Sequence, residues 1–229
     1  SMNIAIIPAR AGSKRIKNKN IKNFLGKPII SYVIKKAIKS KIFDDIVVST
    51  DSSEIKKIAE NNGAKVYFKR PNNLSTDKIK TQNVIIHCLD WFKKKNILID
   101  NVCCIYPTAI FTQASDLQKS FNLIKNKKWS FVISSQKYST QIERAFRMIN
   151  NKILLVDKKK FLMNSQNLKD FYYDAGQFYW GTAKSWYSKN MIYNNRSTIY
   201  QLEKYQSVDI NTLEDWRFAI KLYKFNKNF

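Results

Sequence analysis

A cationic loop after a short apolar segment is the first chemically distinctive feature of the chain. The apolar run Ile4-Ala5-Ile6-Ile7-Pro8 leads into Ala9-Arg10-Ala11-Gly12-Ser13-Lys14-Arg15-Ile16-Lys17-Asn18-Lys19-Asn20, and eleven Lys and Arg precede the first acidic residue, Asp44. A buried strand that ends in such a loop can hold a polyphosphate, because backbone N–H groups and fixed cations share the charge of the anion. With one glycine the loop matches neither a Walker A motif nor a dinucleotide fingerprint. It predicts a nucleotide enzyme without hydride transfer or P-loop hydrolysis.

Polar groups also follow other predicted strands. Three such segments are Phe68-Lys69-Arg70-Pro71, Tyr106-Pro107-Thr108 and Asp209-Ile210-Asn211. Ligands of open parallel sheets bind at the carboxyl ends of the strands, so we expect these segments to converge there. Asp209 is a candidate Mg²⁺ ligand at a strand end, because Mg²⁺ prefers oxygen ligands.

The elements that must position these residues alternate along the first 135 residues. Apolar β-branched runs predict strands at 3–8, 45–49, 65–68, 102–106 and 131–135, and helical periodicity predicts helices at 29–39, 53–61, 81–95 and 114–126. This alternation predicts an α/β fold with a mostly parallel, Rossmann-like sheet and helices on both faces. Asp51, three residues before Glu54, predicts a capping box for the second helix.

The alternation of strands and helices is interrupted between residues 138 and 173, where a hairpin is predicted at 144–156 around Asn150-Asn151. A strand at 177–180, a helix at 183–189, a strand at 198–202 and a helix at 212–223 complete the chain. We therefore expect a single domain over residues 2–229, with 138–173 as an inserted arm. Ser1 before Met2 is interpreted as a cloning scar.

Composition restricts the classes of function. The net charge is +24 and the sequence pI is about 9.9, but Lys is spread along the chain and no nucleic-acid-binding motif accompanies it. We therefore expect acidic small substrates rather than nucleic acid, and no membrane partner, because the apolar runs are short. Cys88, Cys103 and Cys104 are expected to be reduced core thiols of a cytoplasmic protein. His87 alone cannot form a multi-histidine metal site.

Six further motifs occur in order over nearly the whole chain. They are Ile7-Pro8-Ala9-Arg10-Ala11-Gly12-Ser13-Lys14, Lys19-Asn20, Gly26-Lys27-Pro28, Ser49-Thr50-Asp51, Arg70-Pro71 and Val208-Asp209-Ile210-Asn211-Thr212-Leu213-Glu214-Asp215. Together they resemble the cytidylyltransferases that activate nonulosonic acids such as sialic acid. Within the family, Cys103-Cys104-Ile105-Tyr106-Pro107-Thr108-Ala109 and Tyr173-Asp174-Ala175-Gly176-Gln177-Phe178-Tyr179-Trp180-Gly181 most resemble the pseudaminic acid branch. The resemblance implies that CTP and a nine-carbon 2-keto sugar acid give the CMP-sugar and pyrophosphate.

The expected reaction identifies candidate nucleotide-binding residues. Displacement of pyrophosphate needs cationic stabilisation, for which Arg10 and Lys19 are the catalytic candidates. Lys14, Arg15 and Lys17 could serve in the same way or form a solvated basic surface. The nucleotide-binding set also includes the loop residues Ala9, Gly12 and Ser13 and, as the resemblance implies, Asn20, Arg70 and Thr81 for ribose and cytosine. Arg70 could instead anchor its loop through an ion pair.

The candidate residues for metal binding and sugar binding leave more alternatives open. The family pattern has a second Asp where this chain has Asn211, which could ligate Mg²⁺ through its amide oxygen or cap the last helix. The sugar-binding candidates are Tyr106, Arg144, Asp174 and Gln177, with Arg147 as a second arginine for the sugar carboxylate. Sialic acid enzymes of the family carry Gln at the position of Tyr106. Asp174 could instead satisfy the turn before Gly176.

The resemblance also implies a homodimer built by the arm, which could reach a neighbouring active site. The resulting hypothesis is a Mg²⁺-dependent, CTP-using pseudaminic acid cytidylyltransferase for surface glycans, with legionaminic, sialic or another 2-keto acid as alternative substrates. A glycosyltransferase would predict an Asp-x-Asp triplet, which the chain lacks. A basic module that binds nucleic acid or other anions is the non-enzymatic alternative.

Overall fold

The structure is a computed structural model that describes residues 1–76, 80–188 and 191–226. Its strands are β1 (Met2–Pro8), β2 (Asn23–Phe24), β3 (Lys27–Pro28), β4 (Asp45–Ser49), β5 (Ile99–Ile105), β6 (Phe131–Lys137), β7 (Phe146–Ile149), β8 (Lys152–Leu155), β9 (Tyr172–Thr182) and β10 (Ser197–Gln201). Its helices are α1 (Ile29–Ser40), α2 (Ser53–Asn61), α3 (Thr81–Lys94), α4 (Ala114–Ile124), α5 (Lys158–Phe161), α6 (Ala183–Tyr187) and α7 (Leu213–Phe225).

Six strands form the central sheet in the order β10-β6-β9-β5-β1-β4. β1 pairs in parallel with β4 and β5, and β10 pairs in parallel with β6. β9 is antiparallel to both of its neighbours, β5 and β6. The predicted α/β fold with a mostly parallel sheet is confirmed. The antiparallel insertion of β9 was not predicted, and it follows from its connection through the arm, because an antiparallel neighbour needs no crossover helix.

Helices cover both faces of the sheet, as the sequence predicts. Successive side chains of β1 point to opposite faces, so Ala5 and Ile7 pack with α1, α2 and α4, whereas Ile4 and Ile6 pack with α3 and α6. Cys103 and Cys104 are divided in the same way, and all three cysteines are buried and unpaired. α7 packs beside the start of α1 in a third apolar cluster.

The prediction of a strand at 65–68 is wrong. This segment makes only isolated parallel bridges, between Val47 and Lys65 and between Thr50 and Lys69. Between the bridges the rings of Tyr67 and Phe68 turn away to pack on Trp91 of α3. Aromatic contact therefore replaces continuous pairing at this edge of the sheet.

The arm contains the predicted hairpin, β7 and β8, which forms a two-stranded sheet outside the central one. Asn150 and Asn151 join the strands with φ angles of 49° and 62°. Two consecutive left-handed residues form the tight turn that suits the twist of a hairpin, and Asn tolerates this conformation better than most residues.

Two predicted helix caps are corrected by the structure. Ser52, not Asp51, caps α2, because its hydroxyl accepts a hydrogen bond from the N–H of Ile55 at 3.2 Å. Thr212, not Asn211, caps α7 in a reciprocal capping box with Asp215. The side chains of Asp51 and Asn211 are therefore released for other contacts.

No helix within the described ranges is long and apolar enough to cross a membrane. The helix predicted at 183–189 begins as expected and ends at Tyr187. Its predicted last residue, Lys189, lies outside the described residues.

Candidate active site

A cleft of about 270 Å³ lies at the carboxyl ends of β1 and β5. It brings together nine of the predicted site residues from five separate parts of the chain. These residues are Arg10, Ser13, Lys19, Asn20, Arg70, Thr81, Tyr106, Asp209 and Asn211. The expectation that polar segments converge at this edge of the sheet agrees with the structure.

The loop after β1 is fixed by a carboxylate from the neighbouring strand. Asp51, two residues after the end of β4, accepts a hydrogen bond from the N–H of Ala11 at 2.8 Å. The N–H of Ala9 donates to the carbonyl of Ser49 at 2.8 Å, which extends the pairing of β1 with β4. These contacts hold the base of the cationic loop against the sheet.

Within the loop, further hydrogen bonds fix its curvature. The amide of Asn20 donates to the carbonyl of Arg10 at 3.0 Å, and the Arg10 guanidinium donates to the carbonyl of Gly12. A Cβ added at Gly12 would lie 3.3 Å from Nη1 of Arg10, so the absence of a side chain permits this close approach. Ala9 is fully buried, and neither Ala9 nor Gly12 lines the cleft.

Lys19 and Asp209 both line the cleft and interact electrostatically. The Nζ of Lys19 donates to the carbonyl of Ile210 at 3.1 Å. Burial lowers the pKa of Lys19, Asp209 raises it, and the nearby cations Arg15 and Arg10 lower it further. A cluster of cations that repel one another is stabilised by a polyanion, so this electrostatic pattern suits a triphosphate.

Arg70 is 3% exposed and is held by hydrogen bonds. Its Nη2 donates to the carbonyl of Ser49 at 2.7 Å and its Nε to the Ser49 hydroxyl at 3.1 Å. Its Nη1 donates to the carbonyl of Leu74 at 3.4 Å. The side chain thus anchors its loop to the end of β4 and still lines the cleft.

Thr81 and Tyr106 also line the cleft and contact each other. Their hydroxyls lie 3.1 Å apart, which joins the first residue of α3 to the residue after β5. Burial raises the pKa of Tyr106 to about 12, so the phenol remains protonated and can donate a hydrogen bond.

The two metal candidates lie in the loop between β10 and α7, and Asp209 is not at the end of a strand as predicted. Asp209 is exposed to the cleft, and the Oδ1 of Asn211 accepts from Nη2 of Arg15 at 3.5 Å. Among the described residues, no group of three or more His, Cys, Asp or Glu could hold a metal. One carboxylate and one amide oxygen fit an ion whose remaining ligands are substrate phosphates and water.

Three predicted sugar ligands do not line the cleft. The guanidinium of Arg144 donates to the carbonyl of Met163 within the arm. Gln177 is 1% exposed, and its Nε2 donates to the carbonyl of Ala175 at 2.7 Å. Asp174 accepts the N–H of Gly176 at 2.8 Å, as the turn alternative predicts.

Sequence reasoning missed several contributors to the site. The cleft is also lined by Leu74, Thr76 and Val84, which no sequence motif marked as site residues. Asp51 is predicted as a helix cap and as part of the Ser49-Thr50-Asp51 motif, but its contact with the loop after β1 is not predicted, although its place at the end of β4 indicates that it faces the edge where ligands bind.

Comparison with known proteins decides the family. A family model described as "Cytidylyltransferase" matches residues 4–226. The chain belongs to the cytidylyltransferase family. Cytidylyltransferases are nucleotidyltransferases, so the predicted enzyme class is confirmed, and the basic binding module is not favoured.

Curated relatives of this cytidylyltransferase cover nearly its full length. A pseudaminic acid cytidylyltransferase of Campylobacter jejuni serotype O:2 is 39% identical over 225 residues, covering 98% of this chain and 97% of the relative. A CMP-N,N'-diacetyllegionaminic acid synthase of Legionella pneumophila is 32% identical and covers 98% of this chain and 97% of the relative. The predicted resemblance to the nonulosonic acid branch is confirmed.

Solved structures share the fold at low identity. A CMP:2-keto-3-deoxy-manno-octonic acid synthetase complexed with CTP superimposes with a TM-score of 0.71 at 13% identity, covering 98% of this chain and 99% of that one. A 4-diphosphocytidyl-2C-methyl-D-erythritol synthase from Anaerococcus prevotii gives 0.61 at 16% identity, with 97% and 98% covered. At these identities the likeness concerns the fold alone.

Proposed function

We propose that this cytidylyltransferase transfers CMP from CTP to the anomeric hydroxyl of pseudaminic acid, giving CMP-pseudaminate and pyrophosphate. The observation that carries the proposal is the cleft in which Arg10, Lys19, Asp209 and Asn211 meet. The name of the Campylobacter relative, at 39% identity over nearly the whole chain, supports the choice of sugar.

Arg10 and Lys19 bind the triphosphate. Displacement of pyrophosphate increases the negative charge on the leaving and non-bridging oxygens, and fixed cations stabilise that charge without reorganisation. The pKa of Lys19 is lowered by burial, so binding of an anion restores the stability of its protonated form. Ser13 and the loop N–H groups add hydrogen bonds, and Asn20, Arg70 and Thr81 hold the ribose and cytosine.

Asp209 and Asn211 hold Mg²⁺ together with the phosphates. When bound, the ion neutralises phosphate charge during displacement. Asn211 contributes no charge, so the affinity for metal depends strongly on the triphosphate. The closeness of Lys19 to Asp209 further weakens metal binding in the absence of the triphosphate, because the cation reduces the negative potential at the carboxylate.

The sugar binds on the side of the cleft where Tyr106 and Gly176 lie. A protonated Tyr106 donates a hydrogen bond there in place of the Gln of the sialic acid enzymes. Arg144 and Arg147 lie on the arm, and a contact with the sugar carboxylate requires the arm of a second subunit or a change in its position.

The chain forms a homodimer through its arm. Directly paired residues of a hairpin share one face, and one face of this hairpin carries Phe146, Met148, Ile153 and Leu155. Phe146, Met148 and Ile153 are 51%, 61% and 62% exposed. Apolar patches of this kind mark interaction surfaces, and a second copy covers this one. The enzyme works in the cytoplasm, in keeping with its three unpaired cysteines.

Pyrophosphate release tests the function. The purified protein is supplied with Mg²⁺ and each of four nucleoside triphosphates, together with pseudaminic, legionaminic or N-acetylneuraminic acid. Release only with CTP and pseudaminic acid is the expected result. Turnover of CTP with another sugar would contradict the substrate and retain the reaction, whereas folded protein without any release would contradict the function.

A further inference from the structure

Both carboxylate oxygens of Asp174 accept hydrogen bonds from protein groups. Its Oδ1 accepts the N–H of Gly176 at 2.8 Å and the Tyr179 hydroxyl at 2.8 Å. Its Oδ2 accepts the Tyr179 hydroxyl at 2.7 Å and also that of Tyr193. Three donors therefore occupy both oxygens of a residue that is itself exposed. A carboxylate has about four acceptor positions, so these three donors take up most of the acceptor capacity of Asp174.

Two of the residues that donate to Asp174, Tyr179 and Gly176, connect it to the cleft. Tyr179 is 6% exposed, and its ring packs edge-on against that of Tyr106 at 5.5 Å between centroids. Tyr106 lines the cleft, and its hydroxyl lies 3.1 Å from that of Thr81. Gly176, whose N–H binds Asp174, lines the cleft too and has a φ of 66°. Asp174 thus supports two cleft positions without lining the cleft itself.

Asp174 also holds the segment before β10. Tyr193 is 50% exposed, so its ring has little packing to fix it, and its hydroxyl is directed to the carboxylate. The segment that follows is ordered locally, with the N–H of Asn194 donating to the Ser197 hydroxyl at 3.1 Å. Burial, together with the Asp174 carboxylate, raises the pKa of both Tyr179 and Tyr193, so both phenols remain donors.

We propose that Asp174 is a positioning residue. It accepts hydrogen bonds from the hydroxyls of Tyr179 and Tyr193, an arrangement called the clasp below, and thereby fixes the sugar end of the cleft at Tyr106 and Gly176. It acts on recognition of the acceptor sugar without touching the sugar. The proposal replaces the prediction that Asp174 is a direct sugar ligand, and its effect on turnover rests on the proposed function.

Steady-state kinetics test the positioning role. Asp174→Asn removes the charge and one acceptor oxygen, and we expect the KM for the sugar to rise roughly tenfold while the KM for CTP changes less than twofold. Tyr193→Phe removes one donor and keeps the ring, and should give a smaller rise of roughly threefold. Asp170→Asn is the matched control, because Asp170 is an exposed carboxylate just before β9 that pairs with Lys137 instead.

A double-mutant cycle separates a clasp from independent contacts. If Tyr193 acts through Asp174, then Asp174→Asn combined with Tyr193→Phe has the same sugar KM as Asp174→Asn alone. Multiplicative effects of the two changes would overturn the clasp. An unchanged sugar KM in Asp174→Asn, or a parallel rise in the KM for CTP, would also overturn the positioning role.

Hydrogen exchange tests the clasp without turnover. In both Asp174→Asn and Tyr193→Phe, the amides of residues 191–197 should exchange faster than in the wild type, and in Asp170→Asn they should not. If the wild type turned over no sugar, faster exchange would retain the clasp and the proposed function alone would fail. Unchanged exchange in Asp174→Asn would overturn the clasp whatever the activity.

Discussion

At the residue scale, the sequence predicts charge chemistry better than hydrogen-bond partners. Cations in a loop after a strand suit a polyphosphate, which predicts Arg10 and Lys19 as site residues, and both line the cleft. Asp51 was assigned to a cap, but it accepts from Ala11, 40 positions earlier. Charge is a property of the residue, whereas a hydrogen-bond partner depends on which strands become neighbours.

Loss of either cation should slow the chemical step. Arg10→Ala and Lys19→Ala are each expected to lower kcat by about 10²–10³, because a preorganised charge contact to the phosphates is removed. Lys57→Ala, an exposed change of the same charge on α2, is the control. Pyrophosphate release is the measurement, and near-wild-type turnover of either variant would remove that residue from the catalytic set.

Lys36 on α1 should make stability depend on pH. Burial lowers the pKa of Lys36 to about 8, from a usual value of 10.5. Between these values the unfolded chain binds a proton that the folded chain does not, so the contribution of Lys36 to the free energy of unfolding rises with pH. The Tm of the wild type minus that of Lys36→Met should therefore increase from pH 8 to pH 10. Lys35→Met, at an exposed position of α1, is the control, and a flat or falling difference would contradict the prediction.

At the element scale, periodicity predicted most helices and strands, and it failed where packing overrode local pattern. The segment at 65–68 has the composition of a strand, but the ring of Tyr67 stacks on Trp91 at 4.4 Å instead. β9 was predicted over 177–180 and in fact spans Tyr172–Thr182, because pairing with both β5 and β6 extends it. Such extension depends on neighbours that the local sequence does not specify.

Gly181 of β9 is a close-packing position. A Cβ there would lie 2.6 Å from Nε1 of Trp186 and 2.7 Å from the ring of Phe131. Gly181→Ala should therefore lower the free energy of unfolding by about 1–3 kcal/mol, because two buried rings must move. Denaturant unfolding is the measurement, and an unchanged midpoint would show that the rings shift at no cost.

At the scale of the whole molecule, the family and the sheet follow from the sequence, and the role of the arm is a proposal. The hairpin was predicted from Asn150-Asn151, but its apolar face became apparent only from the pairing register. Phe146 pairs with Leu155 and Met148 with Ile153, so one face of the hairpin is wholly apolar, whereas the other carries Arg147 and Lys152 beside Ile149 and Leu154.

The dimer can be tested on that face. Met148→Lys or Ile153→Glu should convert the dimer to a monomer, because a charge cannot be buried unpaired in an apolar interface. Lys152→Glu lies on the opposite face of the hairpin and should leave the dimer intact. Sedimentation velocity of the three variants and the wild type is the measurement. A monomeric wild type, or dimeric apolar-face variants, would contradict the interface.

The sequence by itself determined the alternating α/β pattern, the cationic loop and the family motifs, because these depend on residue types and spacings along the chain. The tertiary structure decided the direction of β9, the partner of Asp51 and the contacts of Asp174. Each of these depends on segments brought together by the sheet order, as when β9 enters between β5 and β6. A carboxylate in the sequence can bind a ligand or support the residues around it, and its neighbours in space decide between the two.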